Sequence, residues 1–281
     1  MTFLLALASS ALWGTSDFLG GTASRRLSAW AVIGASEALV LLLLVPFAVV
    51  LGAWRAPLGY LPWALAGGAV GLVALAAFYF ALATGTMGVV APIAATGVAV
   101  PVLIGLARGN TPSGVQLGGM VAAVCGVVLA SGPEAGGRRD RAAVRPLLLA
   151  LVAAGGFGAV IVFLALGAEY SIAMTLVTMR AETVLLLAVA VVLTRTTTGI
   201  GRADLPVLAA IGVGDAGANA TYSLATQTGA LSVVAVLSSL YPAVTVVLAR
   251  EVHGERLRPV QSVGIAVVLG GILLIASGGT G

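Results

Sequence analysis

Five ionisable side chains stand inside long apolar stretches of this sequence, where a charge is costly. They are Asp17, Glu37, Arg180, Glu182 and Asp215. Four acids against one base leave an excess of three negative charges in a low-dielectric region, which disfavours the charged carboxylates. We therefore expect some of these acids to hold a proton at rest and to release it during a functional cycle.

Two of the acids occupy equivalent places in the chain. Glu37 lies in the run Ser-Glu-Ala and Glu182 in the run Ala-Glu-Thr, and we predict that both are proton-coupling residues. Arg180 is predicted to balance charge by neutralising one acid. Asp17 lies roughly 10 Å and Glu37 roughly 14 Å from the same membrane face, at a rise of about 1.5 Å per helical residue. These two carboxylates could therefore share a proton or a cation.

Polar and aromatic side chains predict a substrate site beside these acids. Four of them follow a spacing of four, seven and eleven residues, which puts them on one helix face: Asp215, Asn219, Tyr222 and Thr226. The alternative is a polar stripe that lines water without selectivity. Trp13 either walls the same cavity or simply packs. The predicted substrate-binding residues are Trp13, Asp17, Asp215, Asn219, Tyr222 and Tyr241.

An internal repeat organises the elements that carry these residues. The run LLALASSALWGT, from Leu4 to Thr15, returns as LLALVAAGGFGA, from Leu148 to Ala159, and the offset stays at 144 to 146 residues over half of the chain. Repeated apolar segments of this length are typical of secondary transporters. We divide the chain into a first repeat at 1–131, a polar linker at 132–145 and a second repeat at 146–281.

Composition places the chain in a lipid bilayer. Charged residues make up 9% of it and hydrophobic residues 60%, against about 25% charged residues in a soluble domain. A helix needs about 20 apolar residues to cross the hydrocarbon. Breaking the chain at polar and Pro/Gly clusters gives ten candidate spans: 2–24, 28–52, 62–83, 86–107, 115–131, 146–167, 171–194, 204–226, 230–250 and 259–278.

These spans predict an all-α integral membrane protein with ten transmembrane helices, arranged as an inverted repeat of two five-helix bundles. The inversion follows because an odd number of spans makes the second repeat enter from the opposite side. Substrate sites in such folds lie at the repeat interface near mid-depth.

Several residues interrupt the spans or lie between them. Very short connections are expected near Gly85 and Gly229. Three prolines, Pro92, Pro101 and Pro242, are predicted to break helical hydrogen bonding and to free carbonyls toward a cavity. The histidine, His253, is expected to be a solvated loop residue.

The arginines give an orientation. Eleven lie in the loops after the odd-numbered spans: Arg25, Arg26, Arg138, Arg139, Arg141, Arg145, Arg195, Arg202, Arg250, Arg256 and Arg258. Arg55 and Arg108 lie on the other face. Cytoplasmic loops carry the excess of basic residues, so this count places both termini outside. The net charge of +4 is thereby explained by topology and predicts no nucleic-acid partner.

The missing motifs exclude several function classes. The sequence has no Gly-rich loop that ends in Gly-Lys-Ser/Thr, as a nucleotide-driven pump requires. It has no lysine, and its one histidine leaves no HExxH zinc motif. We therefore predict no catalytic residues, no metal and no cofactor, and a protein that is not an enzyme.

Three segments resemble the ten-helix EamA branch of the drug/metabolite transporter superfamily. They are ALWGTSDFLGG near the start, YFALATGTMGVVAPIAA in the first repeat and LYPAVTVVLAREVHGERLRPVQSVGIAVVLGGILLI near the end. The resemblance spans the chain, and its most specific part runs from Tyr241-Pro242 through Gly254-Glu255-Arg256 to Gln261 and Gly264. It implies a central cavity, alternating access and export of small metabolites across the bacterial inner membrane, often driven by protons. It also implies cytoplasmic termini, in disagreement with the arginine count.

The excess of acids favours one class of solute. A phosphorylated substrate would need several cationic groups, and Arg180 stands alone, so we expect an amine-bearing, zwitterionic or cationic solute. The function predicted is proton-coupled efflux of such a metabolite by a monomer or homodimer in contact with lipid. Two alternatives are a membrane scaffold or lipid-handling protein without a solute pathway, and an intramembrane enzyme with two acids in direct contact.

Overall fold

The fold is that of a computed structural model, which describes residues 2–100, 103–104, 113–130, 141–195, 199–228, 237–238 and 240–277. Within these residues the chain forms ten α-helices and no strand. The helices are α1 (Thr2–Ala23), α2 (Ala29–Val50), α3 (Leu61–Thr84), α4 (Met87–Ala95), α5 (Gly114–Ala130), α6 (Arg141–Ala168), α7 (Ile172–Thr194), α8 (Leu205–Thr228), α9 (Tyr241–His253) and α10 (Pro259–Ser277). The predicted all-α membrane fold is confirmed.

Length and hydropathy make five helical segments able to cross a bilayer, counted over the described residues. They are Thr2–Ala23, Ala29–Val50, Leu58–Thr84, Val144–Ala168 and Ile172–Thr194. Shorter apolar helices cover Met87–Val98, Gly114–Leu129 and Pro259–Ile275. Helix α8 has the length but falls outside the apolar group, because polar residues such as Asp215 and Asn219 lower its hydropathy.

Most helix ends fall close to the predicted ones. Within the fourth predicted span, 86–107, helix α4 ends at Ala95, and a 3-10 turn, Thr96–Val98, follows it. The other differences concern prolines and a histidine. Helix α6 begins at Arg141, ahead of the predicted start at 146, so Pro146 lies inside it and packs against Gly85. Pro242 stands in the first turn of α9, where its missing N–H leaves no helical bond unmade, so it does not break that helix. His253, expected in a solvated loop, is instead the half-buried last residue of α9.

Some predicted features lie outside the described residues. These are Pro101, the connection at Gly229 and linker residues 132–140. The predicted short connection at Gly85 is present, since α3 ends at Thr84 and α4 begins at Met87.

The second helix of each repeat begins in the same way. The Ser28 hydroxyl accepts a hydrogen bond from the Ala31 amide at 3.2 Å, and the Ser171 hydroxyl accepts one from the Met174 amide at 3.3 Å. A serine at this position satisfies one of the amides that a helix N-terminus leaves without a partner. Equivalent residues thus start α2 and α7.

The packing of the helices has two-fold pseudosymmetry. The contact of α1 with α8 is matched by that of α6 with α3, α1 with α9 by α6 with α4, and α2 with α8 by α7 with α3. Three further pairs, α2 with α7, α4 with α9 and α5 with α10, join each helix to its own counterpart. Exchanging the repeats therefore leaves this pattern of neighbours unchanged.

The glycine contacts between α5 and α10 give the direction of the symmetry axis. A Cβ atom on Gly126 would lie 2.8 Å from the carbonyl oxygen of Gly264, and one on Gly119 would lie 2.7 Å from that of Gly271. Residue numbers thus rise along one helix as they fall along the other, so the pair is antiparallel. A two-fold axis that exchanges antiparallel helices is perpendicular to them, which puts it in the membrane plane and inverts the repeats.

The largest apolar core fills one end of the bundle. Its residues flank the α1–α2 turn and the α3–α4 turn and include Ile33, Phe78, Leu82, Met87 and Leu208, each fully buried. The core therefore lies at the end where the odd-numbered helices finish. We call it the arginine-rich end, because the loops after these helices carry most of the arginines.

Two adjacent glycines of α10 test the close contact of α5 with α10. A Cβ on Gly271 would meet the Ala123 amide nitrogen at 2.6 Å, whereas a Cβ on Gly270 would meet nothing within 4 Å. Both substitutions to alanine gain helix propensity of up to about 1 kcal/mol, but overpacking costs about 1–3 kcal/mol. We expect Gly271→Ala to lower the thermal midpoint in detergent relative to Gly270→Ala. Equal midpoints would contradict the close helix contact.

Candidate functional site

Arg180 of α7 joins two acids from two other helices. Its Nη1 donates to Oε2 of Glu37 on α2 at 2.5 Å, and its Nη2 donates to Oδ2 of Asp215 on α8. The side chains of Arg180 and Glu37 are 14% and 11% exposed, and that of Asp215 is 34% exposed. Charge-assisted bonds of this kind are roughly twice as strong as neutral ones, so this ion triad ties three helices together inside the bundle.

The acids that Arg180 contacts in the ion triad differ from those that the sequence predicts. Arg180 contacts two acids where the sequence suggested one, and Glu37 is paired with this arginine, not with Asp17. The two acids meet through the guanidinium and so do not form the direct carboxyl pair of an intramembrane protease. Nε of Arg180 is buried and has no hydrogen-bond partner among the described residues.

Asp215 is also held from within its own helix. Nδ2 of Asn219, one turn along α8, donates to the Asp215 carbonyl at 2.8 Å and to its carboxylate at 3.2 Å. Asp17 on α1 lies within electrostatic range of Asp215. The predicted residues Asp17, Asp215 and Asn219 therefore share one region with Arg180.

Three aromatic rings from three helices meet beside Asp17. The Trp13 ring centroid lies 5.6 Å from that of Tyr222 and 6.2 Å from that of Tyr241, with interplanar angles of 44° and 67°. Asp17 follows Trp13 by one helical turn and is within electrostatic range of the Tyr241 hydroxyl. The structure thus brings Trp13, Tyr222 and Tyr241 together, as one wall of the site. Thr226 lies on α8, and its side chain is outside the described part.

Glu182 faces a different neighbour. Its carboxylate lies against Gly68 of α3, and its buried Oε2 has no hydrogen-bond partner among the described residues. Although Glu182 is two residues from Arg180, the helical turn points the two side chains in different directions. The structure therefore separates this acid from the ion triad.

Sequence reasoning missed Tyr79 of α3. The residue is 3% exposed, its ring contacts Gly20 of α1, and its hydroxyl lies within electrostatic range of Asp17, Asp215 and Glu37. A signal was available, because Tyr79 is the polar side chain in an Ala/Leu/Phe run of one of the segments quoted above.

The site offers no group of metal ligands within the described part of the chain. There, no three His, Cys, Asp or Glu residues come close enough to one another to hold an ion. Cys125 is exposed on α5, away from the acids. The chemistry available is therefore proton binding, ion pairing and contact with aromatic faces.

Comparison with known proteins agrees with this architecture. Residues 144–277 match the sequence model of the EamA-like transporter family. The second half of the chain is therefore similar to EamA-like transporters. This family belongs to the drug/metabolite transporter superfamily, and the ten helices agree with it.

A solved structure shares the fold of the whole chain. A solved crystal structure, 17% identical in sequence, aligns over 97% of this chain and 95% of its own, with a TM-score of 0.68. At that identity the likeness shows the shared fold alone. No curated protein matches the chain. The long apolar helices and the match of the second half to a transporter family support a multi-pass membrane protein.

Removing the arginine tests the ion triad. Breaking a buried ion pair costs about 3–5 kcal/mol, because the remaining charge is left without compensation. We expect Arg180→Gln to lower the stability in detergent by about that amount. Adding Glu37→Gln and Asp215→Asn should recover most of the loss in thermal or denaturant unfolding. A triple variant as unstable as the single one would show that Arg180 acts through packing and not through its charge.

Proposed function

We propose that this transporter exports a small amine-bearing solute, amino-acid-like or cationic, in exchange for protons. The observation that carries the proposal is the ion triad of Arg180 with Glu37 and Asp215, which stands beside Asp17 and an aromatic wall. We place it in the bacterial inner membrane as a monomer or homodimer.

The charge balance of the site supports exchange. Glu37 and Asp215 share a single guanidinium, and Asp17 lies within electrostatic range of Asp215, so the fully ionised cluster carries two net negative charges in a low-dielectric region. A proton and a protonated amine can each relieve that excess, and both bind to the same carboxylates. Competition for shared acids makes occupancy by one favour release of the other, which is the physical requirement for antiport.

The aromatic wall supports a cationic group on the solute. Ring faces attract ammonium groups, by about 0.5–1 kcal/mol at exposed sites and about 2 kcal/mol when water is excluded. The ring centroids of Tyr222 and Tyr241 lie 5.6 Å and 6.2 Å from that of Trp13. An ammonium group beside Asp17 would contact both a carboxylate and these rings.

The free N–H of Arg180 supports a second contact for a zwitterion. Nη1 and Nη2 are used by the two acids, and the buried Nε has no partner among the described residues. A carboxylate on the solute could accept this N–H while the amine lies at Asp17. This contact would favour amino-acid-like solutes over simple amines.

Two glutamates are proposed to carry the coupling proton. Protonation of Glu37 would release one arm of Arg180 and so loosen the link between α2 and α7. Glu182 has no adjacent cation among its described contacts, and its Oε2 is unpartnered, so nothing holds it in the charged form. The two residues therefore differ in what their protonation would release.

Proteoliposomes with an internal pH-sensitive dye test the coupling. With a pH gradient imposed, a panel of amino acids and organic amines should cause proton movement with the unaltered protein. We expect Glu37→Gln with Glu182→Gln to weaken solute-dependent proton flux, because neither glutamate can then titrate. Glu169→Gln, which changes an exposed acid at the end of α6, is the matched control and should leave the flux unchanged.

The outcome distinguishes the functions considered. Unchanged proton flux in the double variant removes these glutamates from the mechanism. A folded protein that moves neither solute nor protons would favour the scaffold or lipid-handling alternative.

Substitution of Trp13 tests the aromatic wall. The loss of one cation–π contact of about 0.5–2 kcal/mol corresponds to a roughly 2- to 30-fold change in binding. We expect Trp13→Ala to raise the half-saturating concentration of the best amine by that factor and Trp13→Phe to raise it less. Trp54→Ala, at a residue that is 60% exposed, is the control. Equal effects of Trp13→Ala on cationic and neutral solutes would contradict a cation-binding role.

A further inference from the structure

We propose that an ionic clasp at the arginine-rich end is the gate of the transporter on that side. The clasp consists of Thr22, Arg25 and Arg26 from the first repeat and Asp204, His253 and Glu255 from the second. The inference rests on the assignment as a transporter and not on proton coupling or on the class of solute.

Every contact of the clasp joins one repeat to the other. Nη2 of Arg26 lies 2.8 Å from Oδ1 of Asp204, and Nη2 of Arg25 lies 3.2 Å from Oε1 of Glu255. Thr22 Oγ1 and His253 Nε2 form a hydrogen bond of 2.9 Å. Because alternating access requires the repeats to separate at one end at a time, contacts of this kind must break when that end opens.

Glu255 has a second function within the clasp. Its carboxylate accepts hydrogen bonds from the backbone N–H groups of Met87 and Gly88, each at 3.1 Å. These amides are in the first turn of α4, where helices lack internal acceptors and where negative charge is favourable. One side chain, 13% exposed, thus connects the α9–α10 loop with both the α1–α2 turn and the start of α4. This contact gives a role to the glutamate of Gly254-Glu255-Arg256, which takes no part in the proposed exchange.

The opposite end of the bundle has different chemistry at the equivalent positions. The repeat offset of 144 residues maps Arg25 and Arg26 onto Glu169 and Tyr170, and it maps Asp204 onto Tyr60. There, the ring of Tyr170 packs against Gly59. The backbone is pseudosymmetric but these contacts are not, so the ionic clasp belongs to the arginine-rich end.

The clasp lies over the apolar core. Phe18, one residue beyond Asp17, packs its ring against His253 at 5.1 Å between centroids. Ile33, Phe78 and Leu82 continue the same core and are fully buried. The salt bridges and the core together close this end of the bundle. A solute bound at Asp17 could therefore leave through this end only when both have separated.

The clasp is also sensitive to pH through His253. Burial lowers the pKa of His253, and Arg25 of the α1–α2 turn lowers it further, whereas Glu255 of the α9–α10 loop raises it. The neutral ring is therefore the form that the closed clasp favours. As pH falls below the ordinary histidine value of about 6.5, protonation adds a cation beside Arg25, so acidification of this face should weaken the clasp. The pair of Arg26 with Asp204 persists to lower pH, because the Gly201 amide and then Arg26 hold the pKa of Asp204 below its usual value.

Thiol labelling tests the gate without any substrate. In a Cys125→Ala background, Ser16→Cys places a single thiol one position before Asp17. Ser16, the residue that is replaced, is 3% exposed. A membrane-impermeant maleimide is applied to oriented vesicles from each face. We expect Arg25→Gln with Arg26→Gln to raise the labelling rate from the arginine-rich face roughly 3- to 10-fold, since two partly exposed ion pairs are lost.

Two further variants make the result specific. Exchange of charges, Arg26→Asp with Asp204→Arg, should return labelling to within about twofold of the parent rate. Arg250→Gln is the matched control, because Arg250 pairs with Glu251 at the same end within one helix, 3.9 Å apart and mostly exposed. It should leave the labelling rate unchanged.

Two outcomes would overturn the gate. One is unchanged labelling from the arginine-rich face in the Arg25/Arg26 variant, with its thermal midpoint near that of the parent. The other is an equal increase from both faces, which would mean general loosening. Since the assay needs neither solute nor proton gradient, its failure is independent of a failure of the proposed exchange.

Discussion

The bond network of Arg180 is the constraint on which the arrangement of this bundle depends. A guanidinium inside a membrane protein stays charged, and so it must be given counterions by other helices. Glu37 on α2 and Asp215 on α8 supply them, which fixes the rotation and depth of three helices relative to one another. The remaining acid, Asp17, and the aromatic side chains are then arranged around a region that is already polar.

The backbone repeats while the chemistry does not. Equivalent serines start α2 and α7, and the glycine contacts of α5 and α10 exchange under the two-fold axis. The side chains that carry charge or aromatic faces break this symmetry, because Asp215 and Asn219 stand only in the second repeat and Arg25 and Arg26 only in the first. A symmetric scaffold thus carries a one-sided site in its middle and an ionic contact at one end.

Much of the site was visible as a set of residues but not as a set of contacts. The i, i+4, i+7 spacing placed Asp215, Asn219 and Tyr222 on one face because helix periodicity is a local property. The same reasoning could not pair Arg180 with two acids or exclude Glu182 from them, because neighbours from different helices depend on how each helix is rotated. Tyr79 was missed for a related reason, since one hydroxyl in an apolar run gives little signal until its surroundings are known.

The sequence by itself determined the membrane class, the ten helices and the inversion of the repeats. Each follows from the number and length of apolar runs, which lipid and backbone hydrogen bonding dictate regardless of partners. Only the tertiary structure decided that Arg180 meets Glu37 across 143 residues and that Glu255 meets the start of α4 across 168. Contacts over such separations depend on side-chain directions at helix crossings, and a pattern along one chain does not contain those directions.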